Sequence, residues 1–171
     1  YNCKNLVSVK LPESVRTIGY RAFAGCESLK SIDIPEGVTN EDEYDGGYYY
    51  SSWFSGCTSL ETVTLPSALT HLPGDGFSGC SSLKEIVIPE GVTYIPSSCF
   101  NGCSSLQKIT VKGTINAVYE YAFSGCSALT SFDFSKLTKM GSYAFSGTAL
   151  TSVTVPAAIT EIPYGAFSGC E

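Results

Sequence analysis

CSSLKEIVIPEGVTYIPSSCFNG, residues 80–102, reads as one unit of a repeating chain. Its Leu-x-x-Ile-x-Ile places Ile86 and Ile88 two residues apart, so both point to one face of an extended segment while Glu85 and Val87 point away. That is a strand with one buried face. Pro89 has no N–H to give to a ladder and ends the strand. Val92 and Ile95 form a second apolar pair that returns the chain along the back, where short bridges or a second narrow sheet are expected. Phe100 and Gly102 close the unit. A single helical turn ended by a residue with positive φ accounts for the glycine, because only glycine takes that conformation at little cost.

The unit recurs along the whole chain. Phenylalanine falls at Phe23, Phe54, Phe77, Phe100, Phe123, Phe145 and Phe167, and leucine keeps the same beat at Leu6, Leu29, Leu60, Leu83, Leu106, Leu129 and Leu150. The strand pair recurs as Val9/Leu11, Ile32/Ile34, Val63/Leu65, Ile109/Val111, Phe132/Phe134 and Val153/Val155. Repetition at a 23-residue period means a solenoid, in which each repeat buries its face against its neighbours. The expectation is one domain over residues 1–171: about seven repeats, β-dominated within the α/β class. A seven-strand parallel sheet lies on one face, with short second strands and single helical turns on the other. Lys112 and Ser135 stand where other units have proline, so those two strands are expected to run slightly further. The chain opens on YNCKNL and stops on AFSGCE, both inside a repeat, and reads as a fragment of a longer protein.

Composition narrows the function classes. The chain has 43% hydrophobic residues, a formal charge of −6 and only ten Lys plus Arg. No basic stripe exists to meet a phosphate backbone or an anionic membrane, so neither nucleic acid nor a membrane surface is an expected partner. No apolar run reaches the roughly 18 residues that membrane insertion requires. His71 is the only histidine, and between Leu69 and Leu72 it falls on an outward position of the back segment, with no relay implied. The glycines follow the repeat rather than a phosphate-cradling loop, and no Cys-x-x-Cys pair occurs. Neither catalysis nor a cofactor or metal is expected.

Eight cysteines suggest a disulfide framework until their spacing is considered. Cys3, Cys26, Cys57, Cys80, Cys103, Cys126 and Cys170 occupy one repeated position after the glycine, and form a ladder of inward side chains. Neighbours in such a ladder sit about 4.8 Å apart, beyond the roughly 3.5–4.5 Å between the Cβ atoms of a disulfide. Eight free thiols are therefore expected, packed as small hydrophobes. One repeat is a residue short, SGTAL at 146–150, and puts Thr148 in the thiol's place. Cys99 stands where other units have alanine beside the Phe, as another small buried residue.

One stretch departs from the repeat. Between Val38 and Phe54 an insertion at about residues 40–52 carries Tyr44, Tyr48, Tyr49 and Tyr50, with Trp53 at its end and Glu41, Asp42, Glu43 and Asp45 alongside. Insertions in repeat arrays map to loops on one face, and Tyr and Trp give large contact area at low entropy cost, so these five aromatics are the ligand-contact candidates. Two other readings stand beside this one. The aromatics fold back as a cap over the neighbouring repeats, or the four carboxylates hold a Ca²⁺ ion, although their spacing is not that of a calcium loop. The outward strand positions, such as Ser31/Asp33, Thr62/Thr64, Glu85/Val87 and Lys108/Thr110, are a second candidate surface or a solvated sheet.

The string Cys-x-x-Leu-x-x-Ile-x-Ile-Pro-x-x-Val-x-x-Ile-x-x-x-Ala-Phe-x-Gly resembles the repeat of BspA-like, or Treponema pallidum-type, leucine-rich repeat proteins. CESLKSIDIPEGV at 26–38 and the stretch at 80–103 are close matches, and the resemblance covers essentially the whole chain. It implies a leucine-rich repeat solenoid and an exported bacterial protein, secreted or on the cell surface. Several members of that family are associated with adhesion to host matrix proteins or to other microbes. The expectation is a binding array for a protein or glycan of unknown identity; the alternative is a row of structural spacer repeats that presents another domain.

Overall fold

The computed structural model describes residues 1–39 and 51–170. Its centre is a continuous stack of phenyl rings from Phe23 through Phe54, Phe77, Phe100, Phe123 and Phe145 to Phe167, with successive centroids 5.4–5.9 Å apart. The five central rings are fully buried, and Leu29, Leu60, Leu83, Leu106 and Leu129 run beside them, also fully buried. A side chain repeated at a fixed period is here brought onto itself, so each coil fills the core of the next.

The sheet face is less regular than the repeat implies. β1 (Ser31–Asp33) pairs in parallel with β2 (Thr62–Thr64), and β3 (Glu85–Ile88) with β5 (Lys108–Val111). Residue Ser8 adds a single bridge to Ser31. On the back, β4 (Tyr94–Ile95), β6 (Ala117–Val118) and β7 (Lys139–Met140) form the expected narrow second sheet, in that order. Among the described residues β2 and β3 are not hydrogen-bonded to each other, and residues 131–134 and 152–155 join no ladder. The seven-strand ladder is thus a correction: the sheet is interrupted. At 131–134 the cause is size. Phe132 and Phe134 replace aliphatic residues and add two rings to the stack, Phe132 lying 5.4 Å from Phe123 and 5.2 Å from Phe145, and Phe134 lying 4.9 Å from Phe145. Their bulk holds the backbone out from the coil before it. Val155, expected inside, is 39% exposed.

Lys112 lies just past β5, which has four residues like β3 and is not lengthened, yet its N–H continues the ladder by donating to the Ile88 carbonyl at 3.0 Å where a proline has nothing to donate. Ser135 does not. Its N–H donates to the Asp133 carboxylate at 2.9 Å and closes a local turn, a competing bond that Asp side chains commonly offer.

No helical turn forms around the phenylalanines. Around Phe23 the N–H groups of Arg21, Phe23 and Gly25 donate to Ser51, Trp53 and Ser55 in the next coil, while Ala22, Ala24 and Cys26 donate three residues back within their own. This alternation needs left-handed residues on both sides of the Phe: the glycine two after it, and Arg21, Ser52, Asp75, Ser98, Tyr121, Tyr143 or Gly165 two before it. The glycine expectation holds, but the helical explanation of it is replaced. Gly102 has φ +73°, and a Cβ there meets Gly79 Cα at an ordinary 3.7 Å, so conformation rather than space excludes other residues. Gly102→Val is expected to cost about 1–2 kcal/mol, with a branched side chain forced to positive φ. A melting curve unchanged from the parent would refute this.

Candidate functional site

Of the five aromatic contact candidates, Tyr44, Tyr48, Tyr49 and Tyr50 lie outside the described residues, as do Glu41, Asp42, Glu43 and Asp45. Trp53 is described, and it is not at the surface. It is 2% exposed and meets Phe54 edge-on at 6.4 Å, so it belongs to the core and offers no ring face to a ligand. Register explains the placement. The residue directly before the Phe is buried at Gly76, Cys99, Ala122, Ala144 and Ala166, and Trp53 occupies that same position. The signal was in the sequence, hidden by the neighbouring tyrosines.

The strand face presents the outward row as expected. Ser31, Asp33, Thr62, Thr64, Glu85, Val87 and Lys108 are exposed, and β pairing sets them in register, Asp33 beside Thr64 and Glu85 beside Lys108. The Thr64 hydroxyl donates to the Asp33 carboxylate at 2.6 Å, and Lys84 pairs with Glu61 at 3.0 Å across neighbouring coils. The Ser67 hydroxyl and N–H both donate to the Glu36 carboxylate, which holds that carboxyl below its ordinary range. Val87 is the one large apolar side chain well exposed on this row, at 48%. Pairs of this kind stabilise a sheet, and they leave the outer edges of the side chains open to a partner.

The thiols are used by the fold. All eight are free; six are buried, Cys170 is half-buried, and Cys3 is exposed, which corrects the expectation that it faces inward. The Cys80, Cys103 and Cys126 sulfurs each donate to the carbonyl of the Phe in the preceding coil, Phe54, Phe77 and Phe100, at 3.1–3.2 Å. The same carbonyls accept the N–H of the cysteine in their own coil. A cysteine therefore fills a small apolar site and also satisfies a second lone pair. Thr148 does the same from within its coil, its hydroxyl donating to Phe145 at 2.8 Å. Burial pushes the Cys57 and Cys126 thiols up to about 12, and Cys80, Cys99 and Cys103 well above the ordinary 9.0. Thiolates, the reactive form, are withheld. In the native protein an alkylating agent near pH 8 should label Cys3 quickly, Cys170 slowly and the other six not at all, with all eight labelled after denaturation. Mass spectrometry would decide, and modification of native Cys103 would overturn the thiol ladder.

His71 is half-buried, with its Nδ1 2.8 Å from the Thr70 hydroxyl and its ring edge-on to Tyr94. Among the described residues no group of three His, Cys, Asp or Glu side chains comes together to hold a metal ion. Sequence reasoning missed an outer aromatic row. Tyr121 and Tyr143 stack at 5.0 Å, and Tyr143 meets Tyr164 at 5.3 Å. The position two before each Phe would have flagged the first two.

A Phe stack, a thiol ladder and left-handed glycines thus recur together at one period. The family model for the BspA type leucine-rich repeat region matches residues 1–45 and 48–171, in six copies. The chain belongs to the BspA-type leucine-rich repeat family. Solved bacterial leucine-rich repeat structures share its fold. A leucine-rich repeat protein from Eubacterium ventriosum is 25% identical with a TM-score of 0.71, over 88% of this chain and 39% of that one. The leucine-rich repeat protein of T. pallidum is 30% identical with a TM-score of 0.69, over 86% of this chain and 65% of that one. A leucine rich cell surface protein from Faecalibacterium prausnitzii is 32% identical with a TM-score of 0.61, over 78% of this chain and 31% of that one. The chain thus spans less than two thirds of each of these relatives. Among curated proteins none matches it.

Proposed function

We propose that this chain is a non-enzymatic, adhesin-like binding array of a bacterial protein that is secreted or held at the cell surface, contacting a host or microbial protein or a glycan. The observation that carries this reading is the division of labour in the solenoid. The inward side chains of about seven 23-residue repeats, thiols included, are spent on packing, while the outward strand row stays exposed and in register over β1–β2 and β3–β5. The cell-surface description of the F. prausnitzii relative agrees with such a location. No described helix is long and apolar enough to cross a membrane, and the reading involves no nucleic acid, cofactor or membrane insertion.

The test is a panel of immobilised extracellular-matrix proteins and bacterial glycans, with the unaltered chain compared with E85R/V87E. Both changes lie on exposed outward positions and touch no core residue, so the fold should hold, less about 0.2–1 kcal/mol for the like charges that Glu85→Arg sets beside Lys108. Binding to the retained ligand is expected to fall about tenfold or more, or about 1.4 kcal/mol. Retention of nothing by the unaltered chain would favour the spacer alternative. A ligand bound equally by both proteins would move the contact to the tyrosine insertion, where deletion of residues 42–49 becomes the decisive variant.

A further inference from the structure

The interruption after β5 leaves a strand edge without its partner. In the first strand pair the Ile34 N–H donates to the Thr64 carbonyl at 3.0 Å. Val111 holds the same place in its coil, and its N–H has no such acceptor, because residues 131–134 stand away from β5. The Lys108 and Lys112 N–H groups donate to Lys84 and Ile88 on the β3 side, so by alternation those of Ile109 and Val111 face the open side. Between β5 and residues 131–136 lies a notch of about 330 Å³, lined by Ile109, Val111, Phe132, Asp133 and Lys136 among others. That is within the roughly 300–1,000 Å³ of binding clefts. Its apolar walls are half-buried, whereas Ile86 and Ile88, which hold the same places one coil earlier, are 2% and 0% exposed. The coil stays attached on its other side, where the Thr138 N–H donates to Asn116 and the Gly141 N–H to Val118.

We propose that this notch accepts an extended acidic polypeptide segment, added as a strand to the free edge of β5. The unpaired backbone groups fix the occupant's chemistry, since only another extended backbone supplies acceptors and donors at the strand repeat. Charge selects among such segments. Lys108 and Lys112 flank the edge and Lys136 lines the notch, against Asp133 in the lining and Glu85 beside Lys108 on β3, a local excess of lysine in a chain of net charge −6. Lysines on an open edge also repel an identical edge, which disfavours a second copy of this chain. The inference rests on the binding-array reading and narrows it to one site and one partner class.

The probe is a short fluorescent peptide of alternating Glu and Val, compared with its Lys–Val counterpart and with an alternately N-methylated Glu–Val peptide that keeps the charge but loses its backbone donors. Binding is read by anisotropy, and amide exchange at Ile109 and Val111 by NMR. The Glu–Val peptide is expected to bind and slow both amides by about tenfold or more, with the other two peptides binding at least tenfold more weakly. The variant F132I/F134V should let the ladder close, protect both amides without peptide and abolish binding. K108E/K136E, which touches no core residue, should reverse the charge preference. Protection of Val111 in the unaltered chain without peptide, or equal binding of the N-methylated peptide, would overturn the proposal. So would absence of peptide binding while the panel ligand is still retained, an outcome that leaves the array reading standing.

Discussion

Raising the pH from about 8.5 to about 10.5 is expected to lower the stability of this protein by several kcal/mol. The cause is the buried thiol ladder. Desolvation is the main force raising Cys57 and Cys126 to about 12 and Cys80, Cys99 and Cys103 well above 9.0. In the unfolded chain these thiols ionise near their ordinary value, so above about pH 9 the unfolded state releases protons that the folded state keeps. The contribution of Cys57 and Cys126 is complete below that pH and is lost as the pH climbs toward about 12. Each such thiol removes about 1.4 kcal/mol per pH unit within the window. Cys57 and Cys126 together remove about 3 kcal/mol per pH unit, and Cys80, Cys99 and Cys103 act in the same direction, against the roughly 5–15 kcal/mol of a whole domain. Denaturant midpoints measured in reductant across this range check the expectation, and Cys103→Ala should flatten the dependence by about one proton. Equal midpoints at both ends would show that the thiols are solvated in the folded state.

Phe100→Ala should cost about 3–5 kcal/mol, the range for removing a buried phenyl ring. Phe100 is fully buried, stacked 5.4 Å from Phe77 on one side and 5.4 Å from Phe123 on the other, with almost parallel planes. Collapse into the resulting cavity is hindered because the flanking coils are held at a fixed spacing by backbone bonds, such as the Gly102 N–H to the Ser124 carbonyl at 2.7 Å. Phe23→Ala, at a half-buried ring stacked on Phe54 alone among the described residues, should cost clearly less. Chemical denaturation of the two variants tests the gradient. A loss below about 1 kcal/mol for Phe100→Ala, less than burial of the ring's area alone supplies, would mean that the coils close over the cavity.

The repeat made much of the fold legible because each side chain faces its own copy one coil away. Phe100 meets Phe77 and Phe123, and Cys103 donates to Phe77, for the same reason that they recur in the sequence at one spacing. Burial of Cys99 could be read in the same way, and so could that of Trp53 from the register it shares with Ala122. What could not be read is what happens when one copy differs. Phe132 and Phe134 fit the apolar pattern, yet their volume parts a strand from its neighbour, and pattern records polarity, not volume. The bonds around Phe23 alternate between its own coil and the next, and that choice exists only once a second coil is present. The sequence alone therefore determined the period and most of the inward faces, because the same apolar pattern recurs from repeat to repeat, and its repeat string carried the resemblance to the family. Only the tertiary structure decided where the strand ladder breaks, which residues take left-handed φ before each Phe, and that the Val111 N–H faces an open notch, because each depends on the fit between two coils of unequal size.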